Sequence, residues 1–186
     1  MNGWRLGLIG VLCWSVVAIG LPQRMQTFIQ DHHEYDRAIA VIQPMVGQTV
    51  KGVVRFVQLG DGVRVSIMLS GLTPNARHGV HVHRYGDASD NKKGRRAGGH
   101  YNPDRHPHGL PPTLHRHAGS FGNVQANENG DATLQLFDQT ITIAGRKNPV
   151  IGRSVVVHAG EDTGEQPAGN AGPRIGLGVI GITAPN

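Results

Sequence analysis

From residue 38 onward, short runs in which apolar and polar residues alternate dominate the chain. The run VRVSIMLSGL (63–72) is joined to TVKGVVRFVQL (49–59) by the turn Gly60-Asp61-Gly62. Two alternating runs around a Gly/Asp turn predict a β-hairpin. Further strand-like runs are AIAVIQPM (38–45), HGVHVHRYG (78–86), SFGNVQAN (120–127), ATLQLFDQTITI (132–143), VIGRSVVVH (150–158) and RIGLGVIGIT (174–183). Eight strands without a strong amphipathic helix predict an all-β, immunoglobulin-like sandwich or Greek-key barrel.

Two segments of this region have no strand pattern. Residues 86–120 hold glycines, prolines, charges and histidines without a period, and residues 159–173 are rich in Gly and Pro. Loops of this length in a compact domain are usually functional. The sequence therefore predicts two long functional loops on a β scaffold.

The N-terminal residues read differently from the rest. An apolar run from Leu6 to Leu21 follows Arg5 and includes Ala18-Ile19-Gly20. A basic start, a short apolar core and small residues are typical of a secretory signal peptide, with an uncleaved membrane anchor as the alternative. We divide the chain into a signal peptide or anchor (1–20), a polar linker (21–37) and one domain (38–186). Either reading predicts export, to a periplasmic or extracellular location, with a membrane contact only if the segment stays uncleaved.

The amino-acid composition argues against a nucleic-acid-binding function and for a metal-binding one. The 186 residues carry a net charge of +5, but no long Lys/Arg run, so a nucleic-acid partner is not expected. Cys13 is the single cysteine, which excludes an internal disulfide. Eleven histidines are the unusual count. Because imidazole is a common metal ligand, this excess points to a metal site.

The spacing of the histidines supports that hypothesis. His81 and His83 stand at alternate positions of a predicted strand, so both rings face one side of the sheet. His158 ends another strand. The long loop adds His100, His106, His108, His115 and His117. Several imidazoles without thiols suit copper or zinc, whereas magnesium and calcium prefer oxygen ligands.

Five motifs occur in an order that resembles a known family. They are HGVHVHRYGD, AGGHYNP, GNVQANENGDA, IGRSVVVHAGED and GNAGPRIGLGVIGI. From about Ala38 to Thr183, the chain resembles the copper/zinc superoxide dismutase family. The resemblance implies an eight-stranded Greek-key β-barrel, in agreement with the strand count, and copper and zinc as cofactors.

The resemblance also implies a role for individual residues. It implies a copper site of four histidines: His81, His83, His100 and His158. It implies a zinc site that shares one of them: His100, His108 and His117. Asp162 matches a carboxylate that orients histidines of both sites, and His78 matches a histidine bonded to the backbone. Arg174, which docks the anion, and His100, which relays a proton, would be the catalytic pair.

Three positions depart from the family pattern. Ser120 stands where the family has the aspartate that is the fourth zinc ligand. We therefore expect weaker zinc binding, with water, Asp104, His106 or His115 left open as replacements for the fourth ligand. Gly94 and Leu177 stand at the two disulfide cysteines. Their loss puts the rigidity of the loop, the placement of Arg174 and the oligomeric state in question.

The leading hypothesis is an exported, copper-dependent superoxide dismutase whose substrate is the superoxide anion, and a homodimer is left open. The first alternative is a copper- or zinc-binding protein on the same barrel without catalysis, which the departures favour. The second alternative is a secreted adhesion or binding module, which would not need this histidine pattern. Four copper positions together with Asp162 and Arg174 favour the enzyme.

Overall fold

The computed structural model describes residues 35–184. The predicted signal peptide or anchor, Cys13, and the linker up to residue 34 lie outside the described residues. Eight strands are present: β1 (Arg37–Pro44), β2 (Lys51–Leu59), β3 (Gly62–Ser70), β4 (Arg77–His83), β5 (Ser120–Gln125), β6 (Ala132–Asp138), β7 (Ser154–His158) and β8 (Arg174–Ile182). Within this range, the regular helical structure is limited to a short 3₁₀ turn, Arg95–Ala97.

The strands form one antiparallel sheet in the order β5-β4-β7-β8-β1-β2-β3-β6. This sheet curls into a nearly closed barrel with Greek-key connections, which confirms the predicted fold class. β2 and β3 form the predicted hairpin, with Leu59 opposite Gly62 across the turn. In the part of the chain that the structure describes, no helix has the length and apolar character required to cross a bilayer.

The alternation of apolar and polar residues along the strands places the apolar side chains in the core. In β3, Val63, Val65, Ile67 and Leu69 are buried while Arg64 and Met68 are exposed. Phe56 and Phe121 meet inside the barrel with ring centroids 6.2 Å apart. Apart from these rings and Tyr101, the interior is filled by aliphatic side chains, as the low aromatic content predicts.

Strands β4 and β7 are buried on both faces, and this arrangement creates the site. Val80 and Val82 point into the barrel core, whereas His81 and His83 point to the opposite face and are still buried. The long loop between β4 and β5 covers that face: the Tyr101 amide donates to Val82 O (2.8 Å) and the Val82 amide donates to Gly119 O (2.8 Å). The histidines therefore lie between the barrel wall and a loop.

Two strands end earlier or begin later than the sequence predicts. β6 stops at Asp138 because its Oδ1 accepts hydrogen bonds from the backbone and hydroxyl of Thr140 (2.7 and 2.6 Å), which turns the chain. β7 begins only at Ser154, after a turn in which the Arg153 amide donates to Val150 O.

Candidate metal centre

Four histidines from three parts of the fold converge on one point. His81 and His83 come from β4, His158 ends β7, and His100 from the long loop forms an isolated bridge with His83. Each offers one ring nitrogen, and these four nitrogens lie within 4.8 Å of one another. The structure thus brings together all four residues assigned to copper from the sequence.

In three of these rings, one nitrogen donates a hydrogen bond to an oxygen, and the other nitrogen is free to bind a metal ion. Nδ1 of His83 donates to Gly98 O (2.9 Å), and Nδ1 of His158 donates to Gly172 O (3.0 Å). The two Nε2 atoms then face each other at 3.3 Å. His81 donates from Nε2 to Asp162 (2.7 Å), and its Nδ1 is buried with no partner among the described residues. A buried, unpaired imidazole nitrogen fits a metal ligand.

A second group shares His100. Nδ1 of His100 lies 3.4 Å from Nδ1 of His117, which lies 3.4 Å from Nδ1 of His108. Nitrogens bound to one tetrahedral ion at the usual Zn–N length would be about 3.3 Å apart. Since Nδ1 of His100 faces this second group, its Nε2 is the ring nitrogen available to the first group, which is formed with His81, His83 and His158. The spacing fits one ion held by three imidazoles.

Asp162 connects the two groups. Its carboxylate is buried and accepts hydrogen bonds from His81 (2.7 Å) and His108 (2.8 Å). Burial alone would raise the pKa of Asp162, but hydrogen bonds from His108, His81 and the Gly164 amide hold that pKa well below its usual range. The residue is therefore an anion that orients one ring of each group, as the resemblance implies.

Burial keeps the histidines neutral. Desolvation, together with neighbouring imidazoles, lowers the pKa of His158 and of His117 to about 4. Desolvation also lowers the pKa of His81, His83 and His100. A neutral imidazole has the lone pair that a metal requires, so at neutral pH these five histidines are in their binding form.

Comparison with known proteins agrees with this geometry. The family model for copper/zinc superoxide dismutase (SODC) matches residues 50–180. The chain belongs to the copper/zinc superoxide dismutase family.

Individual members of the family are similar over most of the chain. A Superoxide dismutase [Cu-Zn] of Paramecium bursaria Chlorella virus 1 is 42% identical over 80% of this chain and 80% of its own length. The corresponding protein of Saccharomyces cerevisiae is also 42% identical, over 79% of this chain and 98% of its own. A crystal structure of the clock protein EA4 superposes with a TM-score of 0.72 at 37% identity, covering 81% of this chain and 96% of that chain.

The departure at Ser120 is structural as well as chemical. Ser120 is fully buried, and its hydroxyl donates to Gly109 O (2.8 Å), so the oxygen is engaged by the loop backbone. Neither His106 nor His115 joins a group of three potential ligands among the described residues. The second group therefore consists of three neutral imidazoles, without the carboxylate of the family's zinc site.

Arg174 is positioned although the disulfide of the family is missing. Its guanidinium donates to the carbonyls of Gly94 and Gly98 (2.5 Å for Gly98), in the same loop segment that holds His83. Gly94 and Leu177 are neighbours, since a Cβ on Gly94 would lie 3.7 Å from Leu177 Cδ1. A buried apolar cluster occupies this place: Met45, Ala97, Val156 and Leu177. These contacts tie the loop to the barrel where the family has a covalent bond.

Sequence reasoning missed two polar residues that hold the centre. Gln166 accepts a hydrogen bond from the His108 amide (2.9 Å) and donates to His108 O (2.8 Å). Asn123 forms the same reciprocal pair with the backbone of Asp162 (2.7 and 2.8 Å). Single amides in a loop or strand have no spacing signal. The expectation for His78 is confirmed, because its Nδ1 donates to His158 O (2.9 Å).

Proposed function

We propose that this chain is a superoxide dismutase that converts two superoxide anions and two protons into dioxygen and hydrogen peroxide. The observation that carries the proposal is the convergence of four imidazoles beside Arg174, with His100 shared between two ligand groups. A metal-storage site would need the ligands but not the shared imidazole or the fixed cation.

The residues fit both metals of the family. Copper would be held by His81, His83, His100 and His158, and zinc by His100, His108 and His117. Copper bound to imidazoles supplies one-electron redox chemistry, since nitrogen ligands support both of its common oxidation states. The unpaired Nδ1 of His81 supports this fit, because a buried acceptor without a partner is costly, although Nε2 of His78, which lies outside both groups, is also unpaired among the described residues.

The remaining steps belong to the chain's own side chains. Arg174 is half-buried and fixed by two carbonyls, and its positive charge would attract a small anion towards the four imidazoles. A focused positive potential raises the encounter rate of such an anion. Nε2 of His100 would hold the proton that completes hydrogen peroxide, while His117 and His108 lie on its Nδ1 side. Asp162 keeps His81 and His108 in the required tautomers.

The test is superoxide consumption by the purified full chain, metal-free and after loading with copper, alongside elemental analysis. We expect activity to follow bound copper and to be lost in His83→Gln. Stoichiometric copper with no turnover would overturn the proposal and select the non-catalytic copper protein.

We further propose that zinc binds more weakly here than it would with a carboxylate ligand. Three neutral imidazoles lack the negative charge that offsets part of the charge of the ion. Ser120→Asp should tighten zinc binding in a chelator competition, with Ser120→Ala as the matched control that also breaks the bond to Gly109 O. Equal zinc affinity in the Asp and Ala variants would contradict this proposal.

We propose a homodimer formed through an exposed apolar face of β1 and β8. Val41 and Val179 are 50% and 42% exposed, and both point outward, since Ala40 and Ile180 next to them are buried. Val41 and Val179 line one cleft. Val179→Glu should convert a dimer to a monomer in light scattering, while Met68→Glu on β3 should not. A monomeric parent protein would overturn this proposal.

Export of the chain is also a proposal, and it rests on the sequence of residues 1–20. Expression with fractionation and N-terminal sequencing would test it. A mature protein that begins near residue 21 outside the cytoplasm indicates a cleaved signal peptide, and an intact N-terminus in the membrane fraction indicates an anchor. Recovery of the intact chain from the cytoplasm would overturn export.

A further inference from the structure

The long loop carries two pairs of histidines, of which only one pair belongs to the metal centre. The sequence has His106-Pro107-His108 and, nine residues later, His115-Arg116-His117. His108 and His117 form the inner pair, which faces the centre. His106 and His115 form the outer pair, which lies on a cleft in the surface of the loop.

The outer pair has the geometry of the inner one. The ring centroids of His106 and His115 are 5.3 Å apart with an interplanar angle of 79°. The corresponding values are 5.0 Å and 69° for His108 and His117. They are 5.6 Å and 80° for His100 and His117. Two imidazoles at this separation and angle can direct their nitrogens at one ion.

The ring nitrogens of the outer pair are not used by the rest of the described chain. Among residues 35–184, no hydrogen bond is made by the side chain of His106 or His115, whereas both ring nitrogens of His108 and Nδ1 of His117 face another ring or Asp162. His106 is half-buried and His115 is exposed, so the cleft is open to ions from solvent.

The backbone under both outer residues is fixed. Asn102 donates to His106 O (2.8 Å) and accepts from the His106 amide (3.0 Å). Next to His115, the buried Arg116 donates to Thr113 O (2.7 Å) and Ser120 O (3.0 Å) and forms an ion pair with Asp138 (2.5 Å). Because the ligands stand on held backbone, binding would order little more than two side chains.

The cleft between them has carboxylates on its wall. It has a volume of about 510 Å³ and is also lined by Asp61 and Asp104. Each carboxylate accepts an amide hydrogen bond at Oδ2, from Gln139 (2.8 Å) and Asn148 (2.7 Å), which leaves its Oδ1. Lys147 on the same wall donates to Gln139 O (3.0 Å). Within the described part of the chain, neither carboxylate joins the two imidazoles in a group of three potential ligands, so the cleft offers two imidazole ligands and carboxylate charge, and a divalent transition metal would complete its coordination with water.

We propose that His106 and His115 form a second, separate metal site for a divalent ion of the zinc, copper or nickel class, with Asp104 supplying negative charge. The site does not depend on superoxide chemistry in the centre. Each outer ligand stands two residues before an inner one, so an ion held here would also fix the segments 106–108 and 115–117.

The experiment is a calorimetric titration with Ni²⁺ of the full chain whose centre already holds copper and zinc. All proteins carry His32→Gln and His33→Gln, because those N-terminal histidines could bind nickel themselves. We expect one equivalent to bind. His106→Gln or His115→Gln alone should weaken binding at least tenfold, and the double variant should lose the equivalent. Gln139→Ala, on the same cleft, is the control that keeps both imidazoles.

Two measurements separate this site from the centre. Elemental analysis after the titration must show copper and zinc retained, and nickel K-edge absorption must show imidazole scattering that decreases in either single variant. The same uptake and affinity in the double variant, nickel that replaces zinc, or a nickel spectrum without imidazole would each overturn the proposal. Absence of superoxide turnover in the parent protein would contradict the proposed dismutase function but not this metal site.

Discussion

Asp162 is the residue at which the two ligand groups depend on each other. It accepts hydrogen bonds from His81 and His108, and its own backbone is held by Asn123. Without the carboxylate, both rings could turn or change tautomer, because these hydrogen bonds leave Nδ1 of each ring as the ligand atom. One substitution should therefore affect both metals.

We expect Asp162→Asn to lower the affinity for copper and for zinc by about 10–100-fold each, the usual effect of losing such a partner. Chelator competition on the metal-loaded protein measures both constants. Glu161→Gln is the matched control, since the neighbouring carboxylate is exposed and pairs only with Arg77 among the described residues. An affinity change confined to one metal would contradict the connecting role.

Arg174 is a single residue whose positive charge should affect the rate of superoxide consumption. Arg174→Glu should slow superoxide consumption by about tenfold or more, because attraction of the anion becomes repulsion. The rate of the parent should fall with added salt, and that dependence should flatten or reverse in the variant. Arg64→Glu, an equal charge change at an exposed position on β3, is the control. An unchanged rate in Arg174→Glu would remove Arg174 from the mechanism.

At the scale of elements, the loop is tied to the barrel by apolar contacts in place of the family's disulfide. Gly94 has a φ of 61°, and a Cβ there would lie 3.2 Å from Met45 Cε and 3.7 Å from Leu177 Cδ1. Arg174 uses the carbonyls of the same segment. A Cβ at Gly94 would also lie 3.2 Å from Arg174 Cδ, so replacing the contacts with a bond should tighten the loop and shift the Arg174 side chain by a few tenths of an ångström.

The double variant Gly94→Cys/Leu177→Cys, in a Cys13→Ser background, should form a disulfide and gain about 2–4 kcal/mol in free energy of unfolding. The positive φ at Gly94 offsets about 1–2 kcal/mol of this gain. Urea unfolding with and without reductant measures the difference, and Gly94→Ala alone should be less stable than the parent. A double variant whose stability does not respond to reductant would show that the two positions cannot bond.

Most of the strands were predictable because alternation over five or more residues is a local signal. Strands β3 and β7 correspond to the predicted runs VRVSIMLSGL and SVVVH. The HxH spacing in β4 predicted that His81 and His83 lie on one face of the strand, as they do. The ends of β6 and β7 were not predictable, since hydrogen bonds of Asp138 and a turn at Arg153 decide them. The Gln166 and Asn123 contacts join distant segments through single amides, so they leave no periodic trace in the sequence.

At the scale of the whole molecule, the fold surrounds unprotonated imidazoles with low-polarity protein, and this makes its stability depend on pH. In the unfolded chain histidine titrates near 6.5, whereas in the folded, metal-free protein the pKa of His117 and of His158 is about 4 because of burial and neighbouring histidines. Between these values the unfolded state binds more protons. The free energy of unfolding therefore decreases as the pH falls through this window.

Metal-free protein should consequently lose stability between pH 6.5 and about pH 4, with His81, His83 and His100 acting in the same direction. Below about pH 4, protonation of Asp162, whose pKa is depressed in the fold, removes a further contribution. Urea midpoints by circular dichroism, with chelator present, measure the slope. His158→Gln should flatten it, because the variant has no proton to gain at that position. A midpoint that stays constant or rises on acidification would contradict the burial of neutral histidines.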